Sequence, residues 1–150
     1  MEENIRLGRI AGIRIGANWS LLAIFVLLVV GLAGGAFPSE YPGRSAAAYL
    51  AAAVVAALLF FVSLLAHELA HALVARRDGL EVEGITFWLF GGVSRLSGEA
   101  RTPGSDFRIA AVGPLTSLLL AAVFALAASG LDALGTAALA VAVARWLARI

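Results

Sequence analysis

Residues 45–77 read SAAAYLAAAVVAALLFFVSLLAHELAHALVARR, and this stretch decides the fold. No charged residue occurs over 45–66, and the helical pattern then continues through the HELAH motif at 67–71 to the arginine pair that ends the stretch. At about 1.5 Å per residue, such a helix is long enough to cross the ~30 Å hydrocarbon core of a bilayer. The following Asp78-Gly79 predicts its C-terminal end.

The composition fits a chain that lies largely in lipid. Of the 150 residues, 61% are hydrophobic and 14% are charged, which leaves too little polar surface for a soluble domain of this size. The apolar residues form uninterrupted blocks and not amphipathic stripes. The net charge is +1, and no basic run or aromatic-interleaved patch indicates nucleic-acid binding. The absence of cysteine excludes a disulfide framework and a thiolate zinc site.

Three further apolar blocks accompany this helix. Residues 19–36 can span the membrane, residues 109–129 form a third span, and residues 134–150 begin a fourth helix. A cleaved signal peptide is the alternative for the first block, although the block is longer than the typical ~7–15-residue core of such a peptide. We therefore expect an all-α integral membrane protein with three transmembrane helices and a partial fourth, forming a single core over residues 1–150.

Residues 80–96 have a different pattern. Apolar residues alternate at period two up to Leu89, Gly91-Gly92 offers a turn, and residues 93–96 can return as a partner strand. This pattern predicts a small membrane-associated β-hairpin. Plain packing is one interpretation of it. The other is that a strand edge beside the HELAH motif pairs with an unwound peptide, with Phe90, Gly91 and Gly92 as the turn that binds it.

The distribution of arginine predicts the orientation in the membrane. The leader before the first block holds three arginines, the connection over 37–44 holds one, and the segment over 76–108 holds five. The positive-inside rule therefore places the amino terminus and the 76–108 segment in the cytoplasm. Within that segment, residues 97–106 are predicted to form a polar loop.

The HELAH motif carries the chemistry. His67 and His71 are four residues apart, so their imidazoles project from one face of a helix and both can reach one Zn²⁺ at ~2.0–2.1 Å. Glu68 lies beside the first ligand, where it can take a proton from an attacking water and pass it to the leaving amine. The motif predicts His67 and His71 as metal ligands and Glu68 as the catalytic carboxylate.

The same motif can arise on a helix by chance, and its context argues against that alternative. The chain has two histidines, and both belong to the motif. Glu68 lies in an otherwise apolar helix, where an ionisable residue costs about 2.5–3.5 kcal/mol at the membrane centre. A metal site supplies the partner that such a residue needs. Gly113-Pro114 also has two readings, as the start of a helix or as a close approach of small residues to the active site.

With these motifs the sequence resembles the site-2 protease family of intramembrane zinc metalloproteases. The similarity covers essentially the whole chain and lies closest to the short bacterial and archaeal branch that often adds CBS domains. LGRIAGIRIGANWSLL resembles the opening of the family, and LLAHELAHALVARRDGLEV resembles its zinc helix. LFGGVSRL resembles its membrane-associated hairpin, and IAAVGPLTSLLL the start of its third core helix.

The resemblance implies regulated intramembrane proteolysis. Members of the family hydrolyse peptide bonds in or near transmembrane segments of regulatory proteins, such as anti-sigma factors or membrane-tethered transcription factors. His67 and His71 match the zinc ligands of the family and Glu68 its catalytic carboxylate, so Zn²⁺ is the expected cofactor. The chain is expected to be a multi-pass protein of a bacterial or archaeal cell membrane.

One departure from the family concerns the third zinc ligand. In the family this ligand is an Asp in a Leu-Asp-Gly motif on the next core helix, and the sequence ends at Ile150, about where that motif should begin. Asp106, in the predicted polar loop, and Asp132, in the opposite connection, are poor substitutes. We therefore expect a core truncated before the motif, with weak or no proteolysis. The alternative function is a catalytically incomplete pseudoprotease that only binds transmembrane partners.

Overall fold

The computed structural model describes residues 5–88, 91–97, 102–135 and 137–150. Its elements follow in the order β1 (Ile5–Ile10), β2 (Ile13–Ala17), α1 (Ser20–Gly31), a π-helical turn (Leu32–Ala36), α2 (Phe37–Glu40), α3 (Ala46–Arg77), β3 (Glu81–Trp88), β4 (Gly91–Ser97), α4 (Pro103–Ala133) and α5 (Ala138–Arg149). These elements belong to two compact units. Unit 1 comprises Met1–Ala23 and Leu64–Ser117, and unit 2 comprises Ile24–Ser63 and Leu118–Ile150.

Three helical segments are long and apolar enough to cross a membrane. They are Ser20–Glu40, Ala46–Arg77 and Pro103–Ala133. The prediction of a mainly helical membrane protein with three spans is confirmed. The 12 residues of α5 are too few to cross the hydrocarbon core, as expected for a partial fourth helix.

The third span begins earlier than its apolar block predicts. Helix α4 starts at Pro103, so the prediction of a polar loop over 97–106 is wrong for its last residues. The Thr102 hydroxyl accepts a hydrogen bond from the Ser105 amide (3.2 Å), which satisfies a free N–H at the helix start. Pro114 lies inside α4 and does not open it, so the Ala110 carbonyl has no amide partner four residues ahead.

Helix α3 ends where Asp78-Gly79 predicts. The Gly79 amide bonds to the Arg76 carbonyl (3.1 Å) and the Leu80 amide bonds to the Ala75 carbonyl (3.0 Å), which is the hydrogen-bond pattern of a Schellman cap. Gly79 has φ +90°, a backbone conformation that side chains disfavour. The chain therefore leaves the helix sharply and enters β3 two residues later.

The predicted hairpin is present as β3 and β4, and it belongs to a larger sheet. Four strands lie in the order β1-β2-β3-β4. The leader, which carried no strand prediction, forms the antiparallel pair β1–β2, and β2 pairs in parallel with β3. The prediction that Gly91-Gly92 forms the turn is wrong. Both glycines lie in β4, where Gly91 pairs with Trp88 and Gly92 with Phe87, while Phe90 lies outside the described residues.

The sheet packs on α3 through alternate residues. Ile13 and Ile15 of β2 and Ile85 and Phe87 of β3 are at most 4% exposed and form one cluster with Ala72 of α3. Their spacing of two places them on the same face of the sheet. Within unit 1, this packing holds the sheet against the helix that carries the HELAH motif.

Unit 2 has a core made largely of small apolar side chains. Ala53, Ala56 and Ala57 of α3 are fully buried, and they cluster with residues of the first span and with Ala142 and Leu147 of α5. Small residues at this spacing let neighbouring backbones approach closely, which is how membrane helices gain packing energy. The part of α3 in this unit, residues 46–63, contains no charged residue.

Candidate active site

The two histidines of the motif converge on one point. His67 and His71 lie one turn apart on the same face of α3, with ring centroids 4.8 Å apart and planes at 70°. Their Nε2 atoms are separated by 3.1 Å. Two nitrogens bound at 2.0–2.1 Å to one tetrahedral ion would be about 3.3 Å apart. The pair therefore has the spacing of two ligands that share one metal ion.

Groups on helix α4 contact the second ring nitrogen, Nδ1, of each imidazole. His71 Nδ1 lies 2.5 Å from the Ile109 carbonyl oxygen, and His67 Nδ1 lies 2.8 Å from the Ser117 hydroxyl. A carbonyl only accepts, so a neutral His71 carries its proton on Nδ1 and leaves the Nε2 lone pair available. Metal-binding histidines in proteins are usually held in this way by an outer partner, which fixes the tautomer and the ring orientation.

A glycine lets α4 approach the two rings. Gly113 lies between Ile109 and Ser117 along α4, and a Cβ built on it would overlap His71 Nε2 and lie 2.6 Å from His67 Nε2. No side chain can occupy this position without displacing both imidazoles. The second reading of Gly113-Pro114, a close approach to the active site, describes what this glycine does.

The carboxylate of the motif lies against the sheet. Glu68 is half-buried, and a Cβ built on Gly92 of β4 would lie 2.5 Å from its Cγ and 2.7 Å from its Cδ. The glycine therefore leaves room for the Glu68 side chain beside strand β4. Within unit 1, α3 supplies the two imidazoles and the carboxylate, α4 supplies the outer partners, and β4 lies beside the carboxylate.

The metal fit is incomplete in one respect. The described residues contain no group of three or more His, Cys, Asp or Glu side chains close enough to hold an ion together. Asp106 lies in the first turn of α4, and Asp132 in its last turn forms an ion pair with Arg145 (2.6 Å). The two imidazoles fit zinc by donor type and spacing, whereas catalytic zinc sites normally have three protein ligands.

Sequence reasoning identified the motif and missed the residues that orient it. Ser117 and the Ile109 carbonyl gave no signal of their own, because a serine in a membrane helix usually bonds to its own backbone. Their spacing offers one clue. Residues 109, 113 and 117 are four apart, so they lie along one face of α4, with the glycine in the middle.

The chain is similar in sequence to a known family and to two of its named relatives. The sequence profile of peptidase family M50 matches residues 55–144. The chain is 47% identical over its whole length to Rip3 of Mycobacterium tuberculosis, whose name describes it as a zinc metalloprotease, and it spans 38% of the length of that protein. It is 41% identical over 120 residues to sll0528 of Synechocystis, which carries the same description, and this match spans 31% of that protein.

A solved structure gives the same answer. The site-2 protease from Methanocaldococcus jannaschii superposes with a TM-score of 0.55 and 27% sequence identity, over 83% of this chain and 51% of that one. The two proteins therefore share a fold over the matched part of each chain. By profile, by sequence and by structure, the chain belongs to peptidase family M50, the family of the site-2 proteases.

Proposed function

We propose that the chain is the membrane core of a zinc-dependent endopeptidase that hydrolyses peptide bonds in or near transmembrane segments. The observation that carries this proposal is the convergence of His67 and His71 Nε2, 3.1 Å apart, beside Glu68 on a helix long enough to cross a membrane. Membership in family M50 supports the metalloprotease chemistry. The intramembrane position rests on the depth of the HELAH motif along α3.

The depth follows from the length of helix between the motif and its charged end. His67 precedes Arg76 by nine residues, or about 14 Å at ~1.5 Å per residue. With the arginines of the 76–108 segment at the cytoplasmic interface, the imidazoles lie well inside the hydrocarbon zone. Water must then reach them through a protein-lined space, because dry lipid holds none for hydrolysis.

His67 and His71 would hold the zinc ion. When bound, the ion would supply Lewis-acid polarisation of the scissile carbonyl and would make water easier to deprotonate. Glu68 accepts the proton of the attacking water and donates it to the leaving amine. The Ile109 carbonyl and the Ser117 hydroxyl keep the two imidazoles in the orientation that binding requires.

Strand β4 is the element best placed to bind substrate. It is the last strand in the order of the sheet, and its described residues pair only with β3. An extended peptide can add to such an edge through main-chain hydrogen bonds. Because Gly92 lies against Glu68, a peptide bound along β4 would pass close to the carboxylate. We propose Gly91, Gly92 and the preceding Phe90 as substrate-binding residues.

The substrates we propose are transmembrane regulators, such as anti-sigma factors or membrane-tethered transcription factors, in a bacterial or archaeal cell membrane. An edge strand pairs with extended chain, so helix-breaking residues near the cut should favour cleavage. With two protein ligands, zinc should bind weakly, and we expect weak or no hydrolysis from these 150 residues alone. That same observation supports the second candidate, a pseudoprotease that binds transmembrane partners without cutting them.

One experiment separates the two candidates. The chain is reconstituted in liposomes with a helical membrane substrate, both as residues 1–150 and followed by a helix that carries Leu-Asp-Gly. We expect the extended chain to cleave and the same chain with Glu68→Gln to bind substrate without cleaving. Cleavage that survives Glu68→Gln would refute the proposed mechanism. Substrate retention without cleavage by the extended chain would favour the pseudoprotease.

A further inference from the structure

Polar contacts follow one another along the line where α3 and the Asp78 that ends it meet α4 within unit 1. From the membrane interior outward, His67 meets Ser117, His71 meets the Ile109 carbonyl, and Asp78 meets Ser105. The residue number rises on α3 as it falls on α4, as in a pair of antiparallel helices in fixed register. We call these three contacts the polar seam. Two of them hold the candidate zinc ligands, and the third lies at the end of the seam.

The terminal contact involves a carboxylate that accepts two hydrogen bonds from α4. Asp78 Oδ2 accepts a hydrogen bond from the Ser105 hydroxyl (2.5 Å) and another from Arg108 Nη2 (2.7 Å). The Asp78 side chain is 15% exposed and Ser105 is 3% exposed. Hydrogen bonds to an ionised carboxylate are shorter and about twice as strong as neutral ones. These two bonds hold the pKa of Asp78 below its usual value.

We propose that Asp78 is a positioning residue, which fixes the axial register of α4 on α3 and so places the Ile109 carbonyl on His71. This inference rests on the proposed function, because it gives Asp78 a role in the proposed zinc site. Asp78 lies seven residues beyond His71, about 10 Å along the helix at ~1.5 Å per residue, so it acts without touching the site.

The register needs such a lock because apolar faces alone define it poorly. A slide of α4 by one residue moves it about 1.5 Å along its axis. That displacement would lengthen or bend the hydrogen bond between His71 Nδ1 and the Ile109 carbonyl past useful geometry. Ser105 and Ile109 are one turn apart on α4, so a contact that fixes Ser105 also fixes the carbonyl.

The simpler interpretation is that Asp78 only stabilises the helix end and satisfies a buried hydroxyl. The two interpretations differ in what they predict for the imidazoles. If the contact only stabilises, its loss should lower the melting temperature and leave the folded site unchanged. If the contact positions α4, its loss should change the proton distribution on His71 in protein that is still folded, because the Ile109 carbonyl no longer selects the Nδ1–H tautomer.

The chain offers a clean spectroscopic readout of this difference. It has two histidines, both at the site, so ¹⁵N-labelled imidazole reports on the site alone. We would record long-range ¹⁵N–¹H correlation spectra of the chain in lipid nanodiscs without zinc, with His67→Gln used to assign His71. Zinc affinity is then measured by competition with a chelator. The variant is Asp78→Ala, and the matched control is Asp106→Ala, an exposed aspartate in the same first turn of α4 as Ser105.

In wild type and in Asp106→Ala, we expect His71 protonated on Nδ1. In Asp78→Ala, we expect the proton to shift toward Nε2 and zinc affinity to fall about tenfold, the lower end of the range for outer partners of a metal ligand. Asp78→Asn, which keeps an acceptor for Ser105, should restore the wild-type tautomer. Identical imidazole spectra and zinc affinity in Asp78→Ala and Asp106→Ala would overturn the proposal.

A second variant covers the case in which Asp78→Ala does not fold. Ser105→Ala combined with Arg108→Gln removes both α4 donors to the Asp78 carboxylate, and it should shift His71 in the same direction. A folded double variant with the wild-type His71 tautomer would also overturn the proposal. Because the spectra need neither zinc nor substrate, failure of the chain extended through a Leu-Asp-Gly helix to cleave would count against the proposed function while leaving this inference intact.

Discussion

The two halves of α3 belong to one continuous helix and are packed in different ways. The half in unit 2 buries the alanines at 53, 56 and 57 in an apolar cluster, and this half contains no charged residue. The half in unit 1 carries His67, Glu68 and His71, and two of these contact polar groups of α4. One half gains its stability from close backbone approach, and the other also accommodates ionisable groups.

This difference shows which half of α3 carries the free-energy cost of placing ionisable residues in the membrane. An ionisable residue at the centre of a membrane helix costs about 2.5–3.5 kcal/mol, whereas buried alanines carry no such penalty. The three ionisable residues of the HELAH motif each lie beside another element: the two imidazoles beside α4 and the carboxylate beside β4. Paired substitutions, one in each unit, test whether this division is real.

The largest effect should come from the carboxylate. Glu68→Gln removes the proton acceptor, and we expect cleavage by the chain extended through a Leu-Asp-Gly helix to fall about 10²–10⁴-fold, the usual contribution of general acid–base catalysis. Zinc binding should remain. The matched change in unit 2 is Glu40→Gln, which breaks only an exposed ion pair with Arg149 and should leave cleavage unchanged. An equal loss of cleavage in both variants would contradict the assignment of the chemistry to unit 1.

Glycine 113 gives the next effect. Gly113→Ala places a methyl group where the two Nε2 atoms lie. Zinc affinity should fall by about a hundredfold, which is the top of the range for substitutions of the outer partners of metal ligands. Gly130→Ala is the matched change in the unit 2 part of α4, where a Cβ meets open space. It should leave zinc binding intact and stabilise the helix by about 0.5–1 kcal/mol. Chelator competition and thermal unfolding measure the two quantities.

The outer partner of His67 should have a smaller effect. Ser117→Ala removes the hydroxyl beside Nδ1, and we expect zinc affinity to fall by about tenfold. Ser129→Ala is its counterpart twelve residues along the same helix, where the hydroxyl bonds only to the Ala125 carbonyl of its own helix. That variant should bind zinc like wild type. A Ser117→Ala chain with unchanged affinity would show that α4 does not orient His67.

The smallest effect concerns the attachment of the amino-terminal strands. Arg76 Nη1 donates to the Ala11 carbonyl (2.6 Å), in the turn between β1 and β2. Arg76→Gln should lower the free energy of unfolding by about 1.5 kcal/mol, the lower end of the range for a hydrogen bond from a charged donor, because this bond is exposed. Arg149→Gln in unit 2 loses an exposed ion pair and should cost about 0.5 kcal/mol. Denaturant unfolding in detergent compares them, and a reversed order would contradict this assignment.

The sequence predicts the features that rest on local patterns. The length and end of α3, the three spans and the hairpin of β3 and β4 follow from uninterrupted apolar runs, a Gly stop and period-two alternation. The pairing of β2 with β3 could not be predicted in the same way. The two strands are parallel and separated by two membrane helices, so no short-range signal records their contact.

The candidate site also combines features that follow from local sequence patterns with features that depend on contacts between distant segments. The HELAH spacing alone predicts that two imidazoles share one face of α3, and the structure brings them together. The partners on α4 depend on helix register, which the sequence does not specify. The Ile109 contact is made by a backbone carbonyl, which every residue has, so no residue type could indicate it. The turn assigned to Gly91-Gly92 was wrong because register places both glycines in β4.

The most direct test of the account is the ligand shell of zinc bound to the chain. X-ray absorption spectroscopy of the zinc-loaded protein in nanodiscs should show one ion per chain with two imidazole nitrogens at about 2.0–2.1 Å. His71→Ala should remove one of them and weaken binding. Zinc bound without imidazole nitrogens, or bound equally well by His71→Ala, would contradict the central claim that these two side chains form a metal site.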